Sequence, residues 1–182
     1  MKVQSVKNLI LTALFASLTA VGAFIRIPMW PVAFSLQFMM TAFAGLMLGA
    51  RLGATSQAVY LLIGLLGAPV FTEGGGIAYV LRPSFGFLVG LIPAAYVIGR
   101  ISHKSENVIG HIVSCLAGLG VLYAVGVPYM YMALRVFAGT DISIKNAITS
   151  GMLVFLPGDL IKTAVCSLMS SKIRRRVGNI LA

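Results

Sequence analysis

The segment FLPGDLIK, residues 155–162, places two opposite charges inside a long apolar run. Asp159 and Lys162 lie three residues apart, so a helix puts both side chains on one face. Ionisable side chains at membrane depth are rare, face protein or a cavity, and are typical of functional sites. Pro157 and Gly158 weaken the helix signal just before the charges, as happens where the backbone lines a cavity. The segment predicts a polar pocket in the outer half of the last apolar run; an ion pair that only neutralises itself while helices pack is the alternative.

A second candidate segment is TEGGGIAYVLRP, residues 72–83. Its consecutive glycines, with Gly75 and Gly76 as candidate ligand contacts, let a backbone approach a ligand closely, although they also fit a flexible turn. Arg82 carries a guanidinium that suits a carboxylate, and Tyr79 adds a ring and a hydroxyl. The Gly-Lys-Ser/Thr ending of a nucleotide-binding P-loop is missing, which disfavours nucleotide binding.

The segment RIPMWPVAFSLQ, residues 26–37, holds the one tryptophan of the chain between two prolines. Trp30 fits an interfacial aromatic belt and fits equally a stiff lid over an apolar ligand. Gln37 begins the next apolar run and can donate or accept a hydrogen bond to a ligand.

Small residues recur in the first apolar run at three- and four-residue spacing, among them Ala13, Ala16 and Ala20. Small side chains let helix backbones approach closely in lipid. This face is predicted either to dock a membrane partner or to pack internally.

The composition is that of a membrane protein. Of the 182 residues 59% are hydrophobic and 10% charged, and the mean hydropathy is +0.98. A soluble domain is about 45–50% apolar and about 25% charged, so lipid must cover part of this surface. The net charge of +10 does not indicate nucleic acid, because the basic residues mostly separate apolar runs, a topology signal. The final basic cluster, residues 172–176, is typical of contact with anionic lipid headgroups.

Six apolar runs are long enough to cross a bilayer, which takes about 20 residues each. They predict an all-α six-helix membrane bundle, with residues 1–182 as a single transmembrane domain and no further domain. A split of the fifth run at Pro128 would give seven spans, but its second piece is too short to cross. The six runs lie near residues 8–25, 34–50, 53–72, 84–101, 108–138 and 147–171.

The basic residues predict the orientation, because cytoplasmic connections carry an excess of Lys and Arg. With the N-terminus in the cytoplasm, nine basic residues fall on the cytoplasmic side and four on the outer side. Both termini are therefore predicted to be cytoplasmic, with the longer Gly- and Pro-rich connections outside. The nine are Lys2, Lys7, Arg51, Arg100, Lys104, Lys172, Arg174, Arg175 and Arg176; the four are Arg26, Arg82, Arg135 and Lys145.

The sequence offers little for catalysis. Cys115 and Cys166 lie within apolar runs, and with His103 and His111 they make no metal-ligand spacing. We expect no disulfide, no metal, no haem and no other cofactor. Because neither a catalytic set nor a nucleotide-hydrolysing motif is recognised, we expect a protein that is not an enzyme and that needs a partner for active transport.

Four segments together resemble the BioY family, the biotin-binding S-components of energy-coupling factor transporters. They are RIPMWPVAFSLQ, GLMLGARLGATSQAVYLLIGLLGAPVF, the glycine run 74–76 and FLPGDLIK. The resemblance implies a six-helix subunit of the cell membrane that binds biotin from outside. It also implies docking on a transmembrane coupling subunit with two cytoplasmic ATPase subunits.

Biotin has a ureido ring with two N–H donors and one carbonyl, an apolar thiolane ring and tail, and a carboxylate. The resemblance therefore implies that Asp159 accepts ureido N–H bonds, while Lys162 or Arg82 holds the carboxylate or the ureido oxygen. Two other hypotheses stay open: an S-component for another vitamin, and a small membrane enzyme or scaffold whose Asp–Lys pair is structural.

Overall fold

The computed structural model describes residues 2–103 and 107–181, with side chains at residues 6–103 and 107–173. Apart from one short ribbon of two strands, the regular structure of these residues is helical. Five segments are long and apolar enough to cross a membrane: Val6–Phe24, Gln37–Leu65, Phe85–Ser102, Val108–Val136 and Ile144–Ile173. The predicted all-α membrane bundle is confirmed.

The elements follow one another in a simple order. The helices are α1 (Lys2–Phe24), α2 (Gln37–Leu65), α3 (Phe85–Ser102), α4 (Val108–Val136), α5 (Ile144–Ile148) and α6 (Leu156–Leu181). Strands β1 (Arg26–Ile27) and β2 (Phe34–Ser35) pair antiparallel between α1 and α2. A 3₁₀ turn covers Ile77–Leu81, and a π-helical turn covers Thr149–Leu153.

Helix α2 folds back on itself at Gly49, whose φ of 78° and ψ of −176° are not helical. Thr41 donates a hydrogen bond to Gln57 over 2.9 Å, although sixteen residues of straight helix would separate them by about 24 Å. The two arms therefore run antiparallel. They correspond to the predicted spans 34–50 and 53–72, and this is why six spans were predicted where five segments long and apolar enough to cross a membrane are found among the described residues.

The ends of two predicted spans differ from the structure. Pro157 does not interrupt the last helix; it lies in the first turn of α6, where its missing N–H costs no hydrogen bond. The interruption comes earlier, at the π-helical turn Thr149–Leu153. Pro128 lies inside α4 without splitting it, so the prediction of one long helix there is confirmed.

Helix α3 packs between α2 and α4, while α6 packs against both α2 and α4. The shared core includes Leu46, Leu91, Ile98 and Leu119, each nearly inaccessible to solvent. At Gly99 an added Cβ would collide with the backbone of Ala50, so glycine is needed for this close approach of α3 to α2. Close packing through small residues is how helices associate in lipid.

A buried amide ties α1 to the hairpin of α2. The Nε2 atom of Gln57 donates to Thr19 Oγ1 over 3.2 Å, and Gln57 Oε1 accepts from Thr41 over 2.9 Å. All three side chains are fully buried. Hydrogen bonds of this kind between helices support association where the surrounding lipid offers no polar partner.

The conformation of Gly49 leads to a stability prediction. Gly49→Ala should lower the free energy of unfolding by about 1–3 kcal/mol, because only glycine adopts this region of φ and ψ without strain. An added Cβ would meet no atom within 4 Å, so the loss would report backbone strain alone. The matched control is Gly120→Ala within α4, where a Cβ also meets nothing and alanine favours the helix. Thermal unfolding in detergent compares the two; equal stability of both variants would contradict the assignment.

Candidate ligand-binding site

A cavity opens between the segment before α2 and helices α3, α4 and α6. Its volume is about 580 Å³ including the open mouth, within the range of small-ligand pockets. Most of the wall is apolar, with a few polar groups that converge on one side. The lining residues are Val32, Ala33, Phe34, Ser35, Gln37, Phe38, Thr72, Ser84, Phe87, Leu88, Leu91, Leu122, Tyr123, Phe155, Asp159 and Lys162.

The predicted charged pair lies in this wall. Asp159 stands in the first turn of α6, where the positive end of the helix dipole stabilises an anion. Its Oδ1 accepts a hydrogen bond from Lys162 Nζ over 2.8 Å, and its Oδ2 accepts from the Tyr123 hydroxyl over 2.6 Å. Asp159 is 5% exposed and Lys162 6% exposed. A carboxylate has about four lone-pair sites, so Asp159 can accept further hydrogen bonds from a ligand.

Lys162 also reaches the strand that precedes α2. Its Nζ donates to the Ser35 carbonyl over 2.6 Å and stands 3.5 Å from the centroid of the Phe34 ring. The Phe34 ring stacks on Phe155, with 5.9 Å between centroids. An ammonium has three donors, and oxygens of Asp159 and Ser35 use two. One N–H thus has no oxygen partner among the described residues and can serve a ligand.

A set of hydroxyl groups forms another part of the wall. The Tyr79 hydroxyl is 2.9 Å from Thr72 Oγ1 and 3.2 Å from Ser84 Oγ. Thr72 and Ser84 line the cavity, whereas Tyr79 is not among the lining residues. The structure therefore places the predicted contact Tyr79 behind two hydroxyls that face the cavity.

Gln37 lines the cavity, and its predicted contact with a ligand stays a prediction. Its Nε2 donates to the Tyr60 hydroxyl over 2.7 Å, and its Oε1 accepts from Ser35 over 2.9 Å. Tyr60 in turn donates to the Val70 carbonyl over 3.0 Å. The amide orientation is thereby held by protein partners.

Other predicted contacts lie away from the cavity lining. Trp30 is 71% exposed, and the Arg82 side chain is 59% exposed and paired with Glu73. The Gly76 amide donates to the Gly64 carbonyl over 2.7 Å, and Gly75 packs against the turn after α2 so closely that a Cβ would meet backbone. The structure thus gives these glycines packing roles; ligand contact by any of the four stays a prediction.

Tyr123 was not predicted as a site residue, although its hydroxyl lies 2.6 Å from Asp159 Oδ2. A buried tyrosine hydroxyl usually finds a hydrogen-bond partner, so Tyr123 within an apolar run was a usable signal. Its partner lies 36 residues away on another helix, a pairing that depends on how α4 packs against α6. Phe34, Ser35, Thr72 and Ser84 were missed as cavity residues for the same reason.

The small-residue face of α1 borders a second groove. Ala16 is 4% exposed and packs internally against the second arm of α2, whereas Ala13 is exposed and Ala20 half-buried. The groove is lined by Ala13, Ala16, Ser17, Ala20, Val59, Tyr60, Ile63 and Val70.

The described residues offer no metal centre. Within residues 6–103 and 107–173, no three His, Cys, Asp or Glu side chains are grouped so that they could hold a metal ion. Cys115 and Cys166 are buried thiols. The polar groups of the cavity thus offer carboxylate acceptors, ammonium and hydroxyl donors, and apolar walls to an organic ligand.

The bundle and its cavity define a multi-pass membrane protein with an internal site for a small amphipathic ligand. The chain belongs to the BioY family, whose sequence profile matches residues 1–179.

Named relatives cover nearly the whole chain. A probable biotin transporter BioY of Lysinibacillus sphaericus is 43% identical over 175 residues, spanning 95% of this chain and 89% of the relative. The biotin transporter BioY of Thermotoga maritima is 35% identical over 170 residues, spanning 93% of this chain and 96% of the relative. A crystal structure of the S-component for biotin from an ECF-type ABC transporter superposes with a TM-score of 0.83 at 29% identity, covering 96% of this chain and 94% of that chain.

Proposed function

We propose that the chain is the biotin-binding subunit of a vitamin uptake transporter in the cell membrane. The observation that carries the proposal is the buried Asp159–Lys162 pair in the wall of a ligand-sized cavity. A ureido ring offers N–H donors to a carboxylate and a carbonyl oxygen to an ammonium, so this pair matches both sides of the ring. The apolar wall, including Leu88 and Leu122, suits the thiolane ring and the tail. The names of the relatives support the same ligand.

Calorimetric titration of the purified protein in detergent tests the ligand. Biotin should bind saturably, and lipoate, thiamine and riboflavin should not compete at equal concentration. Tighter binding of another vitamin would favour an S-component of different specificity. Absence of binding by every ligand, with a folded protein, would favour the remaining hypothesis that the Asp159–Lys162 pair is structural.

Tyr123 is expected to contribute to affinity through Asp159. Tyr123→Phe keeps the ring and removes the hydroxyl that donates to Oδ2, so the carboxylate loses a charge-assisted hydrogen bond. Such bonds contribute about 1.5–3 kcal/mol, and we expect biotin affinity to fall about tenfold. The matched control is Tyr96→Phe, since Tyr96 is 47% exposed on α3 and lies outside the cavity lining. Equal affinities of the two variants would show that the Tyr123 hydroxyl does not support ligand binding.

The proposed orientation places both termini in the cytoplasm and the mouth of the cavity outside. It is supported by the distribution of basic residues. Lys104 lies outside the described residues, as do the side chains of Lys2, Arg174, Arg175 and Arg176.

Cysteine labelling in intact cells checks this orientation. Ile77 is 74% exposed in the connection proposed to lie outside, and His103 is exposed at the proposed cytoplasmic end of α3. In a background without Cys115 and Cys166, Ile77→Cys should react with an impermeant maleimide in intact cells. His103→Cys should react only after lysis, and the reversed pattern would show the opposite orientation.

Uptake also needs an energy source. The sequence carries no recognised nucleotide-hydrolysing motif, so the proposal includes a transmembrane coupling subunit and two cytoplasmic ATPase subunits. The structural neighbour is the S-component for biotin of an ECF-type ABC transporter, which supports a partnership with a transporter module. The proposed docking surface is the face of Ala13 and Ala20 beside the α1 groove, with buried Ala16 allowing α1 to approach α2 closely.

A further inference from the structure

Two opposite charges lie on segments next to the cavity wall, outside the cavity lining and apart from the buried pair. Arg82 Nη1 lies 3.6 Å from Glu73 Oε2, and the two side chains are 59% and 40% exposed. Glu73 directly follows Thr72, and Arg82 precedes Ser84 by two residues. Since Thr72 and Ser84 line the cavity, the ion pair lies on segments that border the cavity wall.

The backbone around this pair is held by specific contacts. The Tyr79 hydroxyl contacts both Thr72 and Ser84, which ties the two segments together. The Phe71 amide donates to the Gly74 carbonyl over 2.9 Å, closing the turn that carries Glu73. Both charged side chains therefore start from fixed positions, while their exposed ends can move.

Glu73 presents to Arg82 the same chemical group that an anionic ligand would present. A guanidinium binds carboxylates in a planar, two-pronged geometry, and here one carboxylate of the protein already stands beside it. The whole chain has only four acidic residues against fourteen Lys and Arg. One of the four, Glu73, lies beside Arg82. Any ligand carboxylate that approaches Arg82 meets the like charge of Glu73 and competes with it for the guanidinium.

We propose that Glu73 is a specificity-determining residue: it competes with the ligand's carboxylate for Arg82 and so sets how much that carboxylate contributes to affinity. The inference rests on the proposed function, because it takes biotin as the ligand; the contact between Arg82 and the biotin carboxylate is part of the inference itself. A ligand that lacks the negative charge does not compete with Glu73 for Arg82, so its affinity does not depend on Glu73.

Titrations with biotin and with biotin methyl ester separate the two contributions, since both carry the ureido ring and only biotin is anionic. In Glu73→Gln, biotin affinity should rise about two- to fivefold, the range for exposed ion pairs, and ester affinity should stay unchanged. In Arg82→Gln, biotin should bind more weakly and the ester as before. In the double variant, Glu73→Gln should add nothing to Arg82→Gln. Asp141→Asn, which removes an exposed acid paired with Arg135, is the control and should leave both affinities unchanged.

Three results would overturn the inference while leaving the proposed function standing. These are unchanged biotin affinity in Glu73→Gln, equal changes for biotin and the ester, and a Glu73→Gln effect that persists without Arg82. An effect that persists without Arg82 would show that the charge of Glu73 acts directly on the ligand rather than through Arg82. Failure of the unmodified protein to bind either ligand would instead overturn the proposed function itself.

Discussion

Asp159→Asn is expected to weaken biotin binding about ten- to a hundredfold, with the protein still folded and inserted. The amide oxygen can still accept a hydrogen bond from Lys162, and the Tyr123 hydroxyl can turn to accept one from the new NH₂ group. Both hydrogen bonds at residue 159 can therefore be kept. The charge is lost, however, and an acceptor that faces the ligand becomes a donor. A hydrogen bond to a charged group contributes about 1.5–3 kcal/mol, and about 1.4 kcal/mol corresponds to a factor of ten in affinity.

The control for this change is Asp141→Asn, because Asp141 is fully exposed and paired with Arg135 outside the cavity. Its biotin affinity should equal that of the unmodified protein. Affinity within about threefold of the unmodified protein in Asp159→Asn would correspond to less than about 1 kcal/mol. The Asp159–Lys162 pair would then be structural, and the ligand would bind elsewhere.

Lys162→Met should cause the largest loss of stability among these substitutions. It leaves the buried Asp159 carboxylate with only the Tyr123 hydroxyl as a hydrogen-bond partner among the described residues, and removal of one member of a buried ion pair costs about 3–5 kcal/mol. Asp159→Asn should cost less, because Lys162 keeps the Ser35 carbonyl and the Phe34 ring. Thermal unfolding in detergent, without ligand, measures both.

The double variant Asp159→Asn/Lys162→Met makes this test specific. The double variant has no uncompensated buried carboxylate. It should therefore be more stable than Lys162→Met alone and regain most of the free energy of unfolding that Lys162→Met loses. Lys145→Met, which changes an exposed lysine on α5, should alter stability by less than about 0.5 kcal/mol. A Lys162→Met variant as stable as Lys145→Met would mean that Asp159 does not depend on its lysine, contrary to the structure.

Features encoded within a few residues could be predicted from the sequence. The apolar runs predicted membrane helices because lipid requires about 20 apolar residues to a span. The i, i+3 spacing of Asp159 and Lys162 predicted that both side chains share one helix face; the structure places Lys162 Nζ 2.8 Å from Asp159 Oδ1. One long helix through Pro128 could be predicted because the part of the apolar run after Pro128 is too short to cross the bilayer by itself.

Features that depend on packing between distant segments could not be predicted. Tyr123 meets Asp159 only because α4 lies beside α6, and Ser35 meets Lys162 only because β2 folds over the start of α6. The reversal within α2 was predicted as the connection between the spans 34–50 and 53–72, but the conformation of Gly49 that produces it was not. The side chains of Trp30 and Arg82 extend from connections, where the sequence sets the residue type but not the direction of the side chain.

The most direct test of the account is a structure of the protein determined with biotin. We predict biotin density in the cavity between α3, α4 and α6, with the ureido nitrogens within hydrogen-bond distance of Asp159 and an oxygen of biotin within reach of Lys162. Biotin bound at another place, or an Asp159–Lys162 pair with no ligand contact while biotin is bound, would contradict the account.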